Sequence, residues 1–239
     1  VSEWIYRNKV AWLVVIVGLG VGIDQGSKLW ALDALTRPAT AEEIQLDTDC
    51  RDKPRKGLAA EDPCRRYRPH FVTEHGQRVV TKDAIPVVDG WFGFKYAENP
   101  AAAFSLTGSI PANLRWPFLV LISSLAGIGI TIWYLKLKER DWAIFTAFPL
   151  IIAGAVGNLI DRVRLAYVID FLDAYVSSPP ELVTWLRAHA GTSHWPTFNI
   201  ADSCIVVGAF FVIYRTVRPL PTPKPDADTA QAAPATPAA

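Results

Sequence analysis

The sequence predicts an all-α membrane protein: four transmembrane helices, a small extracytoplasmic β-rich segment and a short surface helix. Three observations carry this. First, 51% of the 239 residues are hydrophobic and nine are Trp, with a mean hydropathy of +0.19. Second, the apolar residues are gathered in four blocks, and a hydrocarbon layer of ~30 Å needs ~20 apolar residues in a helix. Third, charges are concentrated in one stretch, from about Arg37 to Asp89, which separates the first apolar block from the others. The net charge of +1 gives no general attraction for nucleic acid, so none is expected as a partner.

The first span runs from Val10 to about Leu32 and carries Asp24 and Lys28 late in its course. The second runs from Trp116 to Leu135, the third from Trp142 to about Ile160, and the fourth from Ile200 to Val217. Buried helices of a soluble bundle show a polar stripe. Pro117 to Tyr134 offers only Ser123, Ser124 and Thr131. Ser2 to Lys9 ahead of an apolar run imitates a secretory signal. The polar pair inside the run and the missing small-residue cleavage site predict a retained helix.

Four spans place both termini on one side. Three of the six residues linking spans two and three, Lys136 to Asp141, are basic. Arg7 and Lys9 precede span one, and Arg215, Arg218 and Lys224 follow span four. An excess of Lys and Arg close to span ends marks the cytoplasmic face, so both termini and this link are expected there. The insert is also rich in Lys and Arg, but far from span ends, where they weigh little. Trp4, Trp12, Trp30, Trp91, Trp116, Trp133 and Trp142 fall near the proposed interfaces, as aromatic belts do.

Residues 1–218 read as one membrane domain. Within it, residues 36–86 form a polar extracytoplasmic insert, which Pro54, Pro63 and Pro69 predict to be poorly regular as far as about Asp83. Residues 87–106, VVDGWFGFKYAENPAAAFSL, are aromatic and β-branched and predict short strands at the membrane surface. A second outer segment, from about Arg162 to Phe198, contains a predicted helix from Pro180 to His189 with prolines at its start. Residues 219–239 are rich in Pro, Ala and Thr and are expected to be a disordered cytoplasmic tail. Cys50 and Cys64 form a disulfide if the insert faces an oxidising compartment and stay thiols otherwise, and spacing does not decide between the two. Cys204 reads as a small buried residue. The His and Cys residues show no metal-ligand spacing, and no metal or cofactor is expected.

Ionisable groups near a bilayer persist where they face a bundle interior, a partner or a water-filled cavity. Asp24 and Lys28 are four apart and share one helix face, so a local ion pair accounts for them, with or without a supporting role at a site. Asn99-Pro100 reads as a turn, with small residues after it that allow close approach. Gly154, Gly157 and Asn158 lie about one turn apart. Tight helix packing explains the glycines but not Asn158, Asp161 and Arg162 together. Asp202 is a first-turn carboxylate of the kind a helix dipole favours, and Asp170 alone would pass for a turn residue. Their common position raises their significance: Asp170, Asp202, Asp24, Lys28, Asn99, Asn158 and Arg162 all fall at one face of the membrane.

Taken in order, Asp24-Gln25-x-x-Lys28, Asn99-x-x-Ala-Ala-Phe104, Gly157-Asn158-x-x-Asp161-Arg162, Val168-x-Asp170-Phe171 and Phe198-Asn199-x-Ala201-Asp202 resemble the motifs of the bacterial lipoprotein signal peptidases, also called signal peptidase II. Each is weak alone, but five in order on four spans are specific. The resemblance covers roughly residues 8 to 35 and 87 to 217, leaving out the insert and the tail. It implies a membrane aspartic endopeptidase of the bacterial cytoplasmic (inner) membrane, expected to be a monomer among membrane lipids. Its implied substrate is a diacylglyceryl-prolipoprotein, cut just before the lipidated Cys. It implies Asp170 and Asp202 as the catalytic pair, with Asp24, Lys28, Asn99, Gly154, Asn158, Arg162 and Asn199 as substrate-binding or supporting residues. The active site would lie at the outer face. Two features depart from the family pattern: Ala101 where Gly is usual, and the length of the insert.

Two carboxylates suit amide hydrolysis. Like charges a few ångströms apart cannot both ionise cheaply, so the pair shares a proton and supplies a general base and a general acid together. A polytopic transporter or proton-relay protein is the rival reading. It predicts polar residues continuing toward the cytoplasmic side, which spans two and four lack. The sequence contains neither the His-Glu-x-x-His of metalloproteases nor Gly-x-Ser-x-Gly.

Overall fold

The computed structural model describes residues 2–50, 71–72, 78–100, 112–138 and 141–218. Residues 101–106, Cys64 and the tail from 219 lie outside them. In chain order the elements are α1 (Ser2–Arg7), α2 (Lys9–Leu35), β1 (Thr36–Pro38), α3 (Ala41–Cys50), β2 (Phe71–Val72), β3 (Arg78–Thr81), β4 (Ile85–Val88), β5 (Phe92–Asn99), α4 (Ala112–Lys136), α5 (Trp142–Leu165), β6 (Val168–Ala174), α6 (Pro180–Ala190) and α7 (Ile200–Val217).

Among the described residues, four helices are long and apolar enough to cross a membrane: α2, the Trp116–Lys136 part of α4, α5 and α7. They turn greasy faces outward, with Val14, Leu19 and Ile23 on α2, Leu121, Leu125 and Ile128 on α4, and Val206, Phe210 and Ile213 on α7 all exposed. A surface of this kind belongs in lipid. Helix α5 is the central one. It packs on α2, α4 and α7, and small residues let the others come close. A Cβ on Gly154 would collide with the carbonyl oxygen of Ala201 in α7, and one on Gly208 would lie 2.7 Å from the Ala147 carbonyl oxygen.

Two spans run longer than the hydropathy indicated. Helix α2 continues to Leu35, where the Lys82 ammonium meets the carbonyls of Asp33 and Ala34 at 3.2 and 3.0 Å. A cation at a helix C-terminus favours such an extension. Helix α5 continues to Leu165 and ends on Ala166 at φ 63°, whose N–H reaches back to the Arg162 carbonyl. Asp161 and Arg162 are therefore helical residues and do not begin the loop.

The three-stranded sheet β4-β5-β6 is antiparallel, with Ala97 opposite Asp170 and Asn99 opposite Val168. A bulge between Phe94 and Ala97 re-aims the last residues of β5. The sheet sits on the end of α2, where Ala31, Leu35, Tyr96, Ile169, Phe171 and Leu172 form a core. Trp30 turns its ring edge-on to Phe94 at 5.0 Å and to Phe171 at 6.1 Å, a favourable aromatic geometry.

The front of the insert is more regular than expected. Helix α3 begins with a reciprocal cap: the Thr40 N–H donates to Glu43 Oε2 at 2.9 Å, and the Glu43 N–H donates to Thr40 Oγ1 at 3.3 Å. Thr-x-x-Glu is a helix-start signal that the surrounding charges obscured. Arg37 then grips Glu43 with two nitrogens at 2.9 and 2.7 Å. Strands β1, β3 and β2 form a second small sheet. Cys50 is disulfide-bonded, and Cys204 is a free thiol, half-buried rather than buried. The surface helix α6 forms where expected and ends on Gly191 at φ 74°, a conformation glycine adopts at no steric cost.

Candidate active site

The site is built where β6, the end of β5 and the ends of three helices meet. Asp170 lies in the middle of β6 and is 2% exposed. Asn99 is its diagonal neighbour across the pair of strands, and its Nδ2 donates to Asp170 Oδ2 at 3.2 Å. Asp202 lies in the first turn of α7. Its N–H donates to Asn199 Oδ1 at 2.9 Å, and its Oδ2 accepts from the Asn199 N–H at 3.3 Å. This capping box leaves Asp202 little freedom.

Two asparagines join the carboxylates. Asn199 Nδ2 donates to Asp170 Oδ1 at 2.8 Å and lies 3.1 Å from Asn158 Oδ1. Asn158 Nδ2 donates to Asp202 Oδ1 at 2.8 Å. The orientation of Asn158 follows from its other partner, because its Oδ1 also accepts from Lys28 Nζ at 3.2 Å. An oxygen committed to two donors turns the amide nitrogen toward Asp202.

Beneath the pair lies a buried ionic knot. Lys28 is 2.8 Å from Asp24 Oδ2 and 2.8 Å from Asp161 Oδ2. Asp24 Oδ1 accepts the backbone N–H of Ala201 at 2.9 Å, so it also holds the first turn of α7. Asp161 Oδ2 accepts the N–H of Ile169 at 3.2 Å and thereby fixes the start of β6. Arg162 donates to the Asn158 carbonyl at 3.2 Å and lies within electrostatic range of Asp202, Asp161 and Asp170. Gly157 presses on this knot, since a Cβ there would lie 2.6 Å from Asp24 Oδ2.

Burial and then the negative charge of Asp202 push the Asp170 carboxyl up to about 7, against the hydrogen bonds from Asn99 and Asn199. Desolvation disfavours an ionised group, and a neighbouring like charge adds to this. Glu98, on the opposite face of β5 from Asn99, is also pushed up to about 7 by burial and accepts from the Tyr96 hydroxyl at 3.1 Å.

All of the residues singled out from sequence except Gly154 meet in this one network. Gly154 lies one turn along α5 and acts through packing on α7. Sequence reasoning noted Asp161 as unexplained by packing but gave neither it nor Gln25 a role. Gln25 Nε2 bridges Asp24, Asp161 and the Gly157 carbonyl at 3.1, 2.9 and 3.2 Å. Both residues stood inside quoted motifs, but the crossing of α2 and α5 that brings them together has no linear signal. Among the described residues, no group of three or more His, Cys, Asp and Glu is arranged to hold a metal ion.

Two linked carboxylates, Asp170 and Asp202, thus lie at one end of four helices long and apolar enough to cross a membrane, as in a polytopic membrane protein. Comparison with known proteins specifies it further. Residues 70–218 match the family model described as Signal peptidase (SPase) II. The chain is 36% identical over 136 residues to the lipoprotein signal peptidase of Syntrophus aciditrophicus, covering 57% of this chain and 76% of that protein. It is 42% identical over 135 residues to that of Geobacter sulfurreducens, covering 56% and 74%. Its fold matches a bacterial membrane enzyme structure obtained by the in meso method at 2.3 Å, with a TM-score of 0.51, 19% identity, and coverage of 86% of this chain and 87% of that one. The chain belongs to the signal peptidase II family. It is a multi-pass membrane peptidase that removes signal peptides from lipoproteins.

Proposed function

We propose that this peptidase is an aspartic endopeptidase that cuts diacylglyceryl-modified prolipoproteins just before the lipidated Cys, with Asp170 and Asp202 as its catalytic pair. The observation that carries this is the Asp170–Asn199–Asn158–Asp202 chain of hydrogen bonds, which ties a buried carboxylate to a half-buried one. The pair keeps one proton near neutral pH, and burial favours its residence on Asp170.

In the reaction, the ionised Asp202 takes a proton from water as the oxygen attacks the scissile carbonyl, and Asp170 donates its proton to the carbonyl oxygen. Collapse of the tetrahedral diol breaks the C–N bond. One hydroxyl proton returns to Asp170, and the proton held by Asp202 goes to the leaving amine. Both carboxyls thus regain their starting states. Asn99, Asn158, Arg162 and Asn199 hold the carboxylates or meet the peptide backbone. The acyl chains of the substrate remain among membrane lipids beside the spans. Such an enzyme works as a monomer.

The location follows the same reading: the bacterial cytoplasmic membrane, both termini cytoplasmic and the pair at the outer face. In support, Lys9, Lys136, Lys138, Arg215 and Arg218 gather at the opposite end of the helices from Asp170 and Asp202.

The test is a gel-shift cleavage assay on a purified diacylglyceryl-prolipoprotein. Asp170→Asn and Asp202→Asn should each lower turnover by about 10³-fold or more, in the upper range for acid–base catalysis, while the variants remain folded in the membrane. Turnover should also fall as pH rises past about 7, where the shared proton is lost. Normal cleavage by Asp202→Asn would sink the assignment.

A further inference from the structure

The segment that delivers Asn199 to the site is held less regularly than the strands beside it. Residues Ser193 to Phe198 run antiparallel along the free edge of β6. The Val176 N–H donates to the Ser193 carbonyl at 2.9 Å, Trp195 N–H to Ala174 at 2.8 Å, and Phe198 N–H to Leu172 at 3.1 Å. Between the last two stands Pro196, which has no N–H to give. Next to this interruption a side-chain contact is made. Asp173 is 3% exposed, and both its oxygens face His194 Nδ1, at 3.0 and 3.2 Å. The imidazole is stacked on the Tyr175 ring, 5.2 Å between centroids and 22° between planes. A buried carboxylate is costly unless paired, and the hydrolytic steps above use neither residue.

We propose that Asp173 and His194 form a positioning clasp for the catalytic pair, holding residues 193–198 in register on β6 so that Asn199 reaches Asp170 and caps Asp202. The inference rests on the assignment of Asp170 and Asp202 as the pair. The register argument is geometric. One residue of slip along a strand is ~3.3 Å and reverses which face each side chain occupies. Asn199 makes its bond to Asp170 at 2.8 Å and its cap bond to the Asp202 N–H at 2.9 Å, so neither survives such a slip. A smaller loosening also matters, because a misplacement of 1 Å can cost about 10²-fold in rate. The clasp lies three residues along β6 from Asp170 and five before Asn199, so it ties together the two stretches that carry the pair.

The experiment uses the full chain in lipid nanodiscs, with steady-state cleavage of a diacylglyceryl-prolipoprotein over a range of pH. His194→Leu should lower kcat by about 10²-fold with KM unchanged. It should also move the alkaline limb of kcat upward, because the Asn199 hydrogen bond that favours ionised Asp170 is weakened. The charged groups facing Asp170 are Asp202 on α7, Lys28 on α2 and Arg162 on α5, and none is altered. His194→Asn, whose amide N–H can replace the Nδ1 donor, should restore most of kcat. Asp173→Asn with His194→Leu should be no slower than His194→Leu alone. Should His194→Leu fail to fold, His194→Phe, which keeps the stack on Tyr175 and has no nitrogen to pair with Asp173, carries the same expectations for kcat, KM and the limb. Unchanged kcat and limb would overturn the clasp, and so would a kcat loss that merely follows a fall in Tm with the limb fixed. Normal cleavage by Asp170→Asn and Asp202→Asn would instead remove the assignment on which the clasp rests.

Discussion

The two ends of the same helices handle polar groups differently. At the end away from Asp170, polar side chains close helix termini. Asp141 caps α5, accepting from the N–H groups of Ala143 and Ile144 at 2.8 and 3.2 Å, and pairs with Arg215 at 2.9 Å. Lys9 Nζ meets the last carbonyls of α4, reaching Leu135 at 2.5 Å. Between them lies an aromatic and aliphatic core of Ile5, Tyr134, Ile144, Phe145 and Phe148. At the other end, charged groups lie between helices. Asp24, Lys28 and Asp161 are nearly inaccessible and each bonds to more than one element. Caps act locally and can be lost singly, whereas an interlocked knot fails as a unit.

The largest effect should come from breaking that knot. Lys28→Met leaves Asp24 and Asp161 buried without their cation, which should cost about 3–5 kcal/mol and most of the folded protein. Arg215→Met at the opposite end leaves Asp141 Oδ1 its two backbone donors and orphans only Oδ2, which should cost less, about 1–3 kcal/mol. Equal losses of stability in chemical denaturation would erase the contrast.

The next effect is a gain. The Asp170 carboxyl, at about 7 in the fold, is ~3.9 when unfolded. The native state therefore binds more protons across that interval. Its stability is complete below the unfolded value and is lost as pH rises through about 7. Asp170→Asn removes this loss. Its stability advantage over the wild type, read as a growing difference in Tm, should increase from pH 4 to pH 8 and level off above, to on the order of 4 kcal/mol at most. A constant difference between the two melting curves across that range would show that Asp170 is not held protonated.

A smaller and more discriminating comparison uses two glycines on the α5–α7 contact. Gly154→Ala and Gly208→Ala each overpack it, at about 1–3 kcal/mol. Only Gly154 presses on the turn that carries Asp202, through Ala201. Cleavage per folded molecule should therefore fall in Gly154→Ala and hold in Gly208→Ala. The smallest effect is expected from Thr40→Ala, the loss of the α3 cap, at about 1 kcal/mol with cleavage per folded molecule unchanged.

The spans were legible because the bilayer demands a run of apolar residues that any reader of the chain can count. Their ends were less so. Leu35 and Leu165 are set by Lys82 and by the left-handed Ala166, which are tertiary and conformational details. Strand β6 was hidden by its own burial. Val168 to Ala174 is covered on both faces, so it lacks the alternation that betrays a half-buried strand, and Asp170 passed for a turn residue. In α3 the signal was present, as Thr40 and Glu43 in capping-box spacing, but it stood among charges that suggested irregularity.

By itself the sequence determined the four spans, the common face of the ionisable residues and the motifs that assign the family, because these depend on composition, order and helical spacing. The tertiary structure decided the bonding: that Lys28 serves two aspartates, that Asn158 and Asn199 link Asp170 to Asp202, and that Asp173 meets His194. Each of these bonds spans tens of residues of chain or a turn that only packing defines. Hydrogen-bond partners are chosen by distance and direction in space, and no linear pattern encodes those.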